Sequence, residues 1–341
     1  MFSDLSLIAL LGTLAGAALV ILVCGLRMTS LADRLADRTG LGEAMVGAVL
    51  LGAATSLSGT VVSATAALDG RASLAFSNGI GGIAAQTAFL ALADLLHRRA
   101  NLEHAGADLA NVFQGTLLML MLALPLVAYT LPGFSFWAVH PASVLLVVIY
   151  AGGVYAANRV RENPMWRPVR TKETREDTPD EEDDEPRSTA ALFLLFLGLM
   201  GLMGLAGWTL SNVAGALTDR YDLNASVVGA LLTAVITSLP ELVTTLAAVR
   251  RGALQMAIGG IIGGNTFDVL FLTVSDVGYR DGSIYHAITR GDLFWLTVGM
   301  TMTAILTLGM LYRQRLGPAG IGMESVLILL VYAGAIVAQV L

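Results

Sequence analysis

Two carboxylates carried inside apolar segments are the residues of this chain best placed to do chemistry. Glu241 closes the run Thr237-Ser238-Leu239-Pro240-Glu241, and Asp268 closes Gly263-Gly264-Asn265-Thr266-Phe267-Asp268. An ionisable side chain in hydrocarbon costs about 3 kcal/mol or more, so it is expected to face a partner, a cavity or an ion. The chemistry these residue types support is cation binding. Hard divalent ions take carboxylate, carbonyl and hydroxyl oxygens, and Thr237 and Ser238 stand one helical turn before Glu241. The same hydroxyls can instead bond their own backbone. Pro240 and the pair Gly263-Gly264 predict interrupted helices, whose freed backbone groups help line a cavity.

The elements that must hold these acids are membrane spans. The 341 residues are 55% hydrophobic and 13% charged, with a mean hydropathy of +0.72. Soluble domains carry roughly a quarter charged residues. Ten apolar stretches approach the ~20 residues a span needs. They lie near 5–26, 41–68, 72–95, 108–131, 141–158, 189–213, 224–249, 254–277, 291–312 and 322–340. The first lacks a basic leader and is read as a span, not a signal peptide. Between the fifth and sixth stretches lies a hydrophilic linker, 159–188, whose Asp-Glu cluster reads as a solvated tether without EF-hand spacing. This divides the chain into 1–158, 159–188 and 189–341.

Other chemistries find little support. A single cysteine, Cys24, excludes an internal disulfide and a cysteine metal site. The four histidines, His97, His104, His140 and His286, fall outside the apolar cores and form no HExxH pattern, which leaves them as loop or interface residues. Neither the HExxH of an intramembrane metalloprotease nor the paired Gly-x-Gly-Asp of an aspartyl type is present. No catalytic residue and no resident cofactor is expected. Nothing in the composition points to nucleic acid, and no protein partner is evident.

Basic residues set the orientation. The 1–2, 3–4, 5–6, 7–8 and 9–10 connections carry sixteen Lys and Arg against four on the other side, Arg71, Arg220, Arg280 and Arg290. The positive-inside rule then places both termini outside and the linker in the cytoplasm of a plasma or inner membrane.

The chain also repeats itself. A shift of 182 residues superposes Asp37-Arg38 on Asp219-Arg220, Thr55-Ser56-Leu57 on Thr237-Ser238-Leu239, and Gly81-Gly82 on Gly263-Gly264. Asp94 falls on Asp276, and Gly16 and Gly25 fall on Gly198 and Gly207. Five spans per copy is an odd number, so the second copy must run inverted through the membrane, the plan of many secondary transporters. The expected fold is all-α, with ten transmembrane helices in two inverted five-helix repeats.

Thr237-Ser238-Leu239-Pro240-Glu241 together with Gly263-Gly264-Asn265-Thr266-Phe267-Asp268 resembles the second alpha-repeat signature of the cation/calcium exchanger superfamily. The architecture resembles that family along the whole chain; the sharp motifs lie near 224–272. The resemblance implies that Glu241 and Asp268 bind calcium, and that the first and sixth helices slide across the ion-binding core. The first copy departs from the pattern. Ser58-Gly59 stands where the family has Pro-Glu, and Gln86, opposite Asp268, stands where it commonly has Asn. The family's Gly-Ser-Asn becomes Gly81-Gly82-Ile83 and Gly263-Gly264-Asn265. Relatives with a third carboxylate can balance three sodium ions against one calcium. Two carboxylates balance one divalent or two monovalent ions, which implies electroneutral exchange.

The expected function is antiport of a divalent cation, calcium first, against sodium or protons by alternating access. Glu241 and Asp268 are the charged ligands, and Thr55, Ser56, Gln86, Thr237 and Ser238 the neutral ones. Magnesium or manganese exchange, or a non-transporting cation sensor in the membrane, are the alternatives. Asp94 and Asp276 stay open between helix-end packing and an ion path. Asn111 and Gln114 are expected to bond between helices, and Gly198, Gly201, Gly204 and Gly207 to form a close-packed or sliding face.

Overall fold

The computed structural model describes residues 2, 5–39, 45–97, 100–174, 188–317 and 320–340, without side-chain detail at 33, 36–39, 45–54 and 340. The acidic run 175–187 and the Asp37-Arg38 side chains therefore lie outside the described set. Helix accounts for 81% of the described residues, and no strand occurs among them.

The first half contributes α1 (Leu7–Thr39), α2 (Met45–Leu68), α3 (Ala72–Leu96), the short α4 (Leu102–Ala105), α5 (Leu109–Thr130) and α6 (Pro141–Glu162). The second contributes α7 (Thr189–Tyr221), then α8 (Ala225–Val227), a π-helical stretch (Val228–Thr233) and α9 (Ala234–Thr237) in series. After these come α10 (Leu239–Arg251), α11 (Leu254–Asp268), α12 (Leu270–Gly278), α13 (Ile284–Ala287), α14 (Arg290–Tyr312) and α15 (Met323–Val340).

Each of the ten apolar stretches contains helix. Seven helices among the described residues are long and apolar enough to cross a membrane, eight if the bent α8–α10 segment is one span. Helices α1 and α7 outrun their apolar stretches. At 33 residues each they reach about 50 Å, against a hydrocarbon core of about 30 Å. Their charged ends, past Leu26 and Val213, continue the helix because nothing there breaks it: neither Gly nor Pro interrupts 26–37, and Gly215 alone interrupts 213–221.

The layering follows from which helices have no lipid-facing side. Within its apolar window α3 is 83% buried, whereas α1 and α6 are 22% buried and α7 33%. Small residues make the central position of α3 possible. A Cβ on Gly81 would run into the backbone of Ala230 in the π-helical stretch, and one on Gly229 would lie 2.9 Å from the Leu74 carbonyl oxygen. The main core joins α3, α5, α11, α12 and α14 around Phe76, Ile80, Ile83, Leu118, Ile262, Leu272 and Trp295. Helices α1 and α7 pack on each other through separate apolar patches, Met28, Leu31, Leu192 and Met203 in one, Ile21, Val62 and Leu210 in another.

The interruptions fall beside the acids. Helix α9 ends at Thr237 and α10 begins at Leu239 with a 48° bend. Pro240 has no N–H to continue the ladder and occupies the first turn of α10, where none is needed. The second interruption differs from the expectation. The Gly263-Gly264 pair stays helical inside α11, and the break comes at Val269, directly after Asp268. Of the two glycines, Gly264 serves close approach, and Gly263 has only ordinary contact around it.

Candidate functional site

Glu241 sits in the first turn of α10 and Asp268 at the last residue of α11, 6% and 2% exposed. Asp268 is held by the first half of the chain. Ser56 on α2 donates to its Oδ1 at 2.6 Å, and Gln86 on α3 donates through Nε2 to its Oδ2 at 2.7 Å. The same Gln86 nitrogen reaches Ser238 Oγ at 3.3 Å. Thr55 and Asp268 are the side chains that face Glu241, the second of them charged. Two buried oxygens here have no hydrogen-bond partner, Glu241 Oε2 and Gln86 Oε1.

Thus six of the seven residues expected from sequence meet around one point: Glu241, Asp268, Thr55, Ser56, Gln86 and Ser238. Thr237, the seventh, is buried but turns its hydroxyl back to the Ala234 carbonyl at 3.1 Å. Glycines form the walls. A Cβ on Gly82 would lie 3.6 Å from Ser238 Oγ and 3.7 Å from Asp268 Oδ2, and one on Gly264 would lie 3.3 Å from Gln86 Oε1. Among the described residues no group of three or more Asp, Glu, His or Cys is arranged for a metal. The charge of the site is that of two carboxylates, with neutral oxygens completing it.

The 182-residue spacing recurs in these contacts. Ser56 meets Asp268 as Ser238 meets Gln86, and each contact maps onto the other by that shift. Asp94 accepts from the backbone N–H of Leu102 and Gly322 at 2.8 and 2.9 Å. Asp276 accepts from Ile284 and His140 at 2.9 and 2.7 Å, the shifted counterparts of those two residues.

The model of the sodium/calcium exchanger protein family matches residues 9–157 and 190–341. The chain belongs to that family. No curated protein sequence matches it. Among solved structures, the sodium-calcium exchanger NCX_Mj soaked with 2.5 mM Na+ and 1 mM Sr2+ superposes with a TM-score of 0.63 at 20% identity, covering 97% of this chain and 99% of that one. The same exchanger soaked with zero Na+ and Ca2+ gives 0.60 at 19%, with 98% and 99% covered. The H+/Ca2+ exchanger CAX gives 0.69 at 13%, with 97% and 86% covered. At these identities the likeness is one of fold.

For this sodium/calcium exchanger family member, several open sequence readings resolve. Asp94 and Asp276 fasten the ends of α3 and α12 to neighbouring backbone and are structural. Asn111 bonds the Gln255 carbonyl on α11 at 3.3 Å, as an interhelical contact should. Gln114 Oε1 is buried without a partner. The glycines of α7 do not form one face, since a three-residue spacing carries Gly207 to the side of the helix opposite Gly198. A Cβ would meet nothing within 4 Å at Gly198 or Gly201, but at Gly207 it would lie 2.8 Å from the Ser58 carbonyl oxygen. Its counterpart Gly25 faces Pro240, whose ring carbons would be 2.5 and 2.7 Å from a Cβ there. So α1 and α7 each press one glycine against the core, α1 at the bend of the α8–α10 segment and α7 on α2.

Three histidines behave as interface residues. His104 bonds the Arg313 carbonyl at 2.8 Å, His140 caps α6, and His286 bonds the Leu131 carbonyl at 2.9 Å. Residues missing from the sequence-derived set are Asn265 and Thr87, joined at 3.0 Å one turn from Asp268. The Gly-Gly-Asn motif contained the signal for Asn265; nothing in the sequence singled out Thr87.

Proposed function

We propose that the chain is a secondary antiporter that carries a divalent cation, calcium, against sodium or protons by alternating access. In this reading ten spans form two inverted five-helix repeats, with both termini outside and the 159–188 linker in the cytoplasm. The observation that carries it is the division of the site between the halves. Both acids come from the second half and are met by neutral side chains of the first, with Glu241 Oε2 and Gln86 Oε1 buried and unpartnered. Unpaired oxygens beside two carboxylates are what a cation would satisfy.

In the cation-bound state the Glu241 and Asp268 carboxylates neutralise a divalent ion. Ser56 and the Gln86 amide, which donate to Asp268 without it, turn oxygen lone pairs toward it, and Thr55 and Ser238 complete the shell. Closing the site around two bare carboxylates would bury uncompensated charge, so the empty doubly charged state is barred from crossing. Two protons or two sodium ions restore neutrality on the return. That requirement is the coupling, and it makes the cycle electroneutral.

The test is calcium uptake into proteoliposomes driven by an outward sodium gradient or an outward proton gradient, with Glu241→Gln beside the unmodified protein. Uptake under one gradient, abolished by the substitution, names the counter-ion. Folded protein that moves manganese or magnesium but no calcium would replace the substrate. Folded protein that moves no cation would leave a membrane sensor as the reading.

A further inference from the structure

The contacts that recur at the 182-residue spacing single out one place where they fail. Gly59 on α2 is the shifted counterpart of Glu241 on α10. Its neighbours keep the correspondence in space: Ser56 and Ser238 meet Asp268 and Gln86, and Gly207 and Gly25 meet Ser58 and Pro240. A side chain at residue 59 would thus start from the position that Glu241 holds in the other half.

That position is filled. A Cβ on Gly59 would lie 2.6 Å from Cε2 and 3.0 Å from Cζ of Phe271. The ring belongs to the first turn of α12, three residues after Asp268, and Phe271 is 3% exposed. A second glycine completes the notch: a Cβ on Gly79 of α3 would lie 3.2 Å from Phe271 Cβ. Behind the ring, Phe267 packs edge-on at 6.5 Å between centroids, and Tyr150 packs on Phe267 at 5.9 Å. Of the polar groups beside the notch, Asn78, Ser63 and Thr233 already satisfy one another, while the Ser58 hydroxyl is buried without a partner. Asn78 donates to the Gly59 carbonyl at 3.1 Å and to Ser63 at 2.9 Å, and Thr233 donates to Asn78 at 2.7 Å. That side thus offers one neutral hydroxyl and no charged substitute for the acid.

We infer that Phe271, seated in the Gly59–Gly79 notch, is the specificity-determining residue of the site. Its ring holds the place of a third acid and fixes the charge available to the cation at that of two carboxylates. The inference rests on the proposed cation antiport. It adds that the missing acid cannot be restored by one substitution, because an unbranched methylene at residue 59 already collides with the ring. An apolar wall there also keeps a second divalent cation from that flank, which favours one divalent ion per cycle.

The test uses the full chain with Gly59→Glu, Phe271→Ala and the double variant. Calcium binding to purified protein is measured by titration calorimetry, and charge movement is measured as current from proteoliposomes on a solid-supported membrane. The double variant is expected to bind calcium at least tenfold more tightly and to move net charge, while Gly59→Glu alone does neither. Gly59→Glu alone matching the double variant would overturn the inference, as would a folded double variant unchanged in affinity and current.

A second arm reads stability alone. Gly59→Ala should lower the melting temperature, and in a Phe271→Ala background the same substitution should lower it far less; equal losses in the two backgrounds would sink the steric claim. This arm does not depend on transport. If the unmodified protein binds no calcium, the antiport reading fails while the melting data still decide the notch.

Discussion

Gln86 and Asp268 stand 182 residues apart in the chain and 2.7 Å apart in space, each at the position in its half that the other holds in the other half. One is an amide and one an acid, so equivalent positions have become a donor and an acceptor. Neutralising Asp268 should therefore act on the ion and on the tie between halves together. Asp268→Asn and Glu241→Gln each remove a charge-assisted interaction of about 1.5–3 kcal/mol, which is roughly tenfold to hundredfold in calcium affinity. The check is the calcium-dependent rise in melting temperature, expected to vanish in both variants while the ion-free protein still folds.

Replacing Gln86 with Leu tests the donor side. Asp268 would keep Ser56 and lose its other partner, and a buried acceptor left unpaired costs about 1–3 kcal/mol. The ion-free protein should melt at a lower temperature, and calcium should restore part of the difference. An ion-free melting temperature and a calcium affinity both unchanged by the substitution would remove Gln86 from the site.

The glycines of α1 and α7 should separate into two kinds. Gly198→Ala and Gly201→Ala meet open space and add helix propensity, so they are expected to be neutral or stabilising by up to about 1 kcal/mol. Gly207→Ala and Gly25→Ala drive a methyl against Ser58 and Pro240, with an expected cost of about 1–3 kcal/mol and slower exchange. Melting temperatures of the four variants, measured side by side, check the division.

A buried acid away from the ion site gives a pH dependence. Glu103 on α4, outside the spans, is 1% exposed. Burial first, then the neighbouring Asp94 and Glu324, hold its carboxyl well above the usual value near 4.5. The folded protein retains a proton that the unfolded chain releases above about 4.5. The stability this contributes is full below that value and is lost as pH rises through the folded one. Glu103→Gln should keep the stability and flatten the dependence. Melting temperature against pH from 4 to 8, in both proteins, measures it.

Much of this site is legible in the sequence because charge in hydrocarbon is costly. Glu241 and Asp268 had to be explained by something, and the shift of 182 led from them to Thr55, Ser56 and Gln86. The bend before Pro240 follows from a missing N–H. The behaviour of Thr237, Asp94 and Asp276 depended on which oxygen finds a backbone partner, which spacing does not encode. The glycines show the limit most clearly. Gly198 and Gly207 stand nine residues apart, about half a turn out of phase on α7, and which of those sides meets a neighbour depends on how α7 crosses the core. The pairing of Gly59 with Phe271 was invisible for the same reason, joining residues on separate helices through the shape of a ring.

The assignment of both acids to the second half and of Ser56 and Gln86 to the first has a genetic consequence. Neither half holds a spare copy of what the other provides. Chains cut within the linker should work only when both fragments are made together, and a lesion at Glu241 should be rescued by an intact second fragment but never by an extra first one.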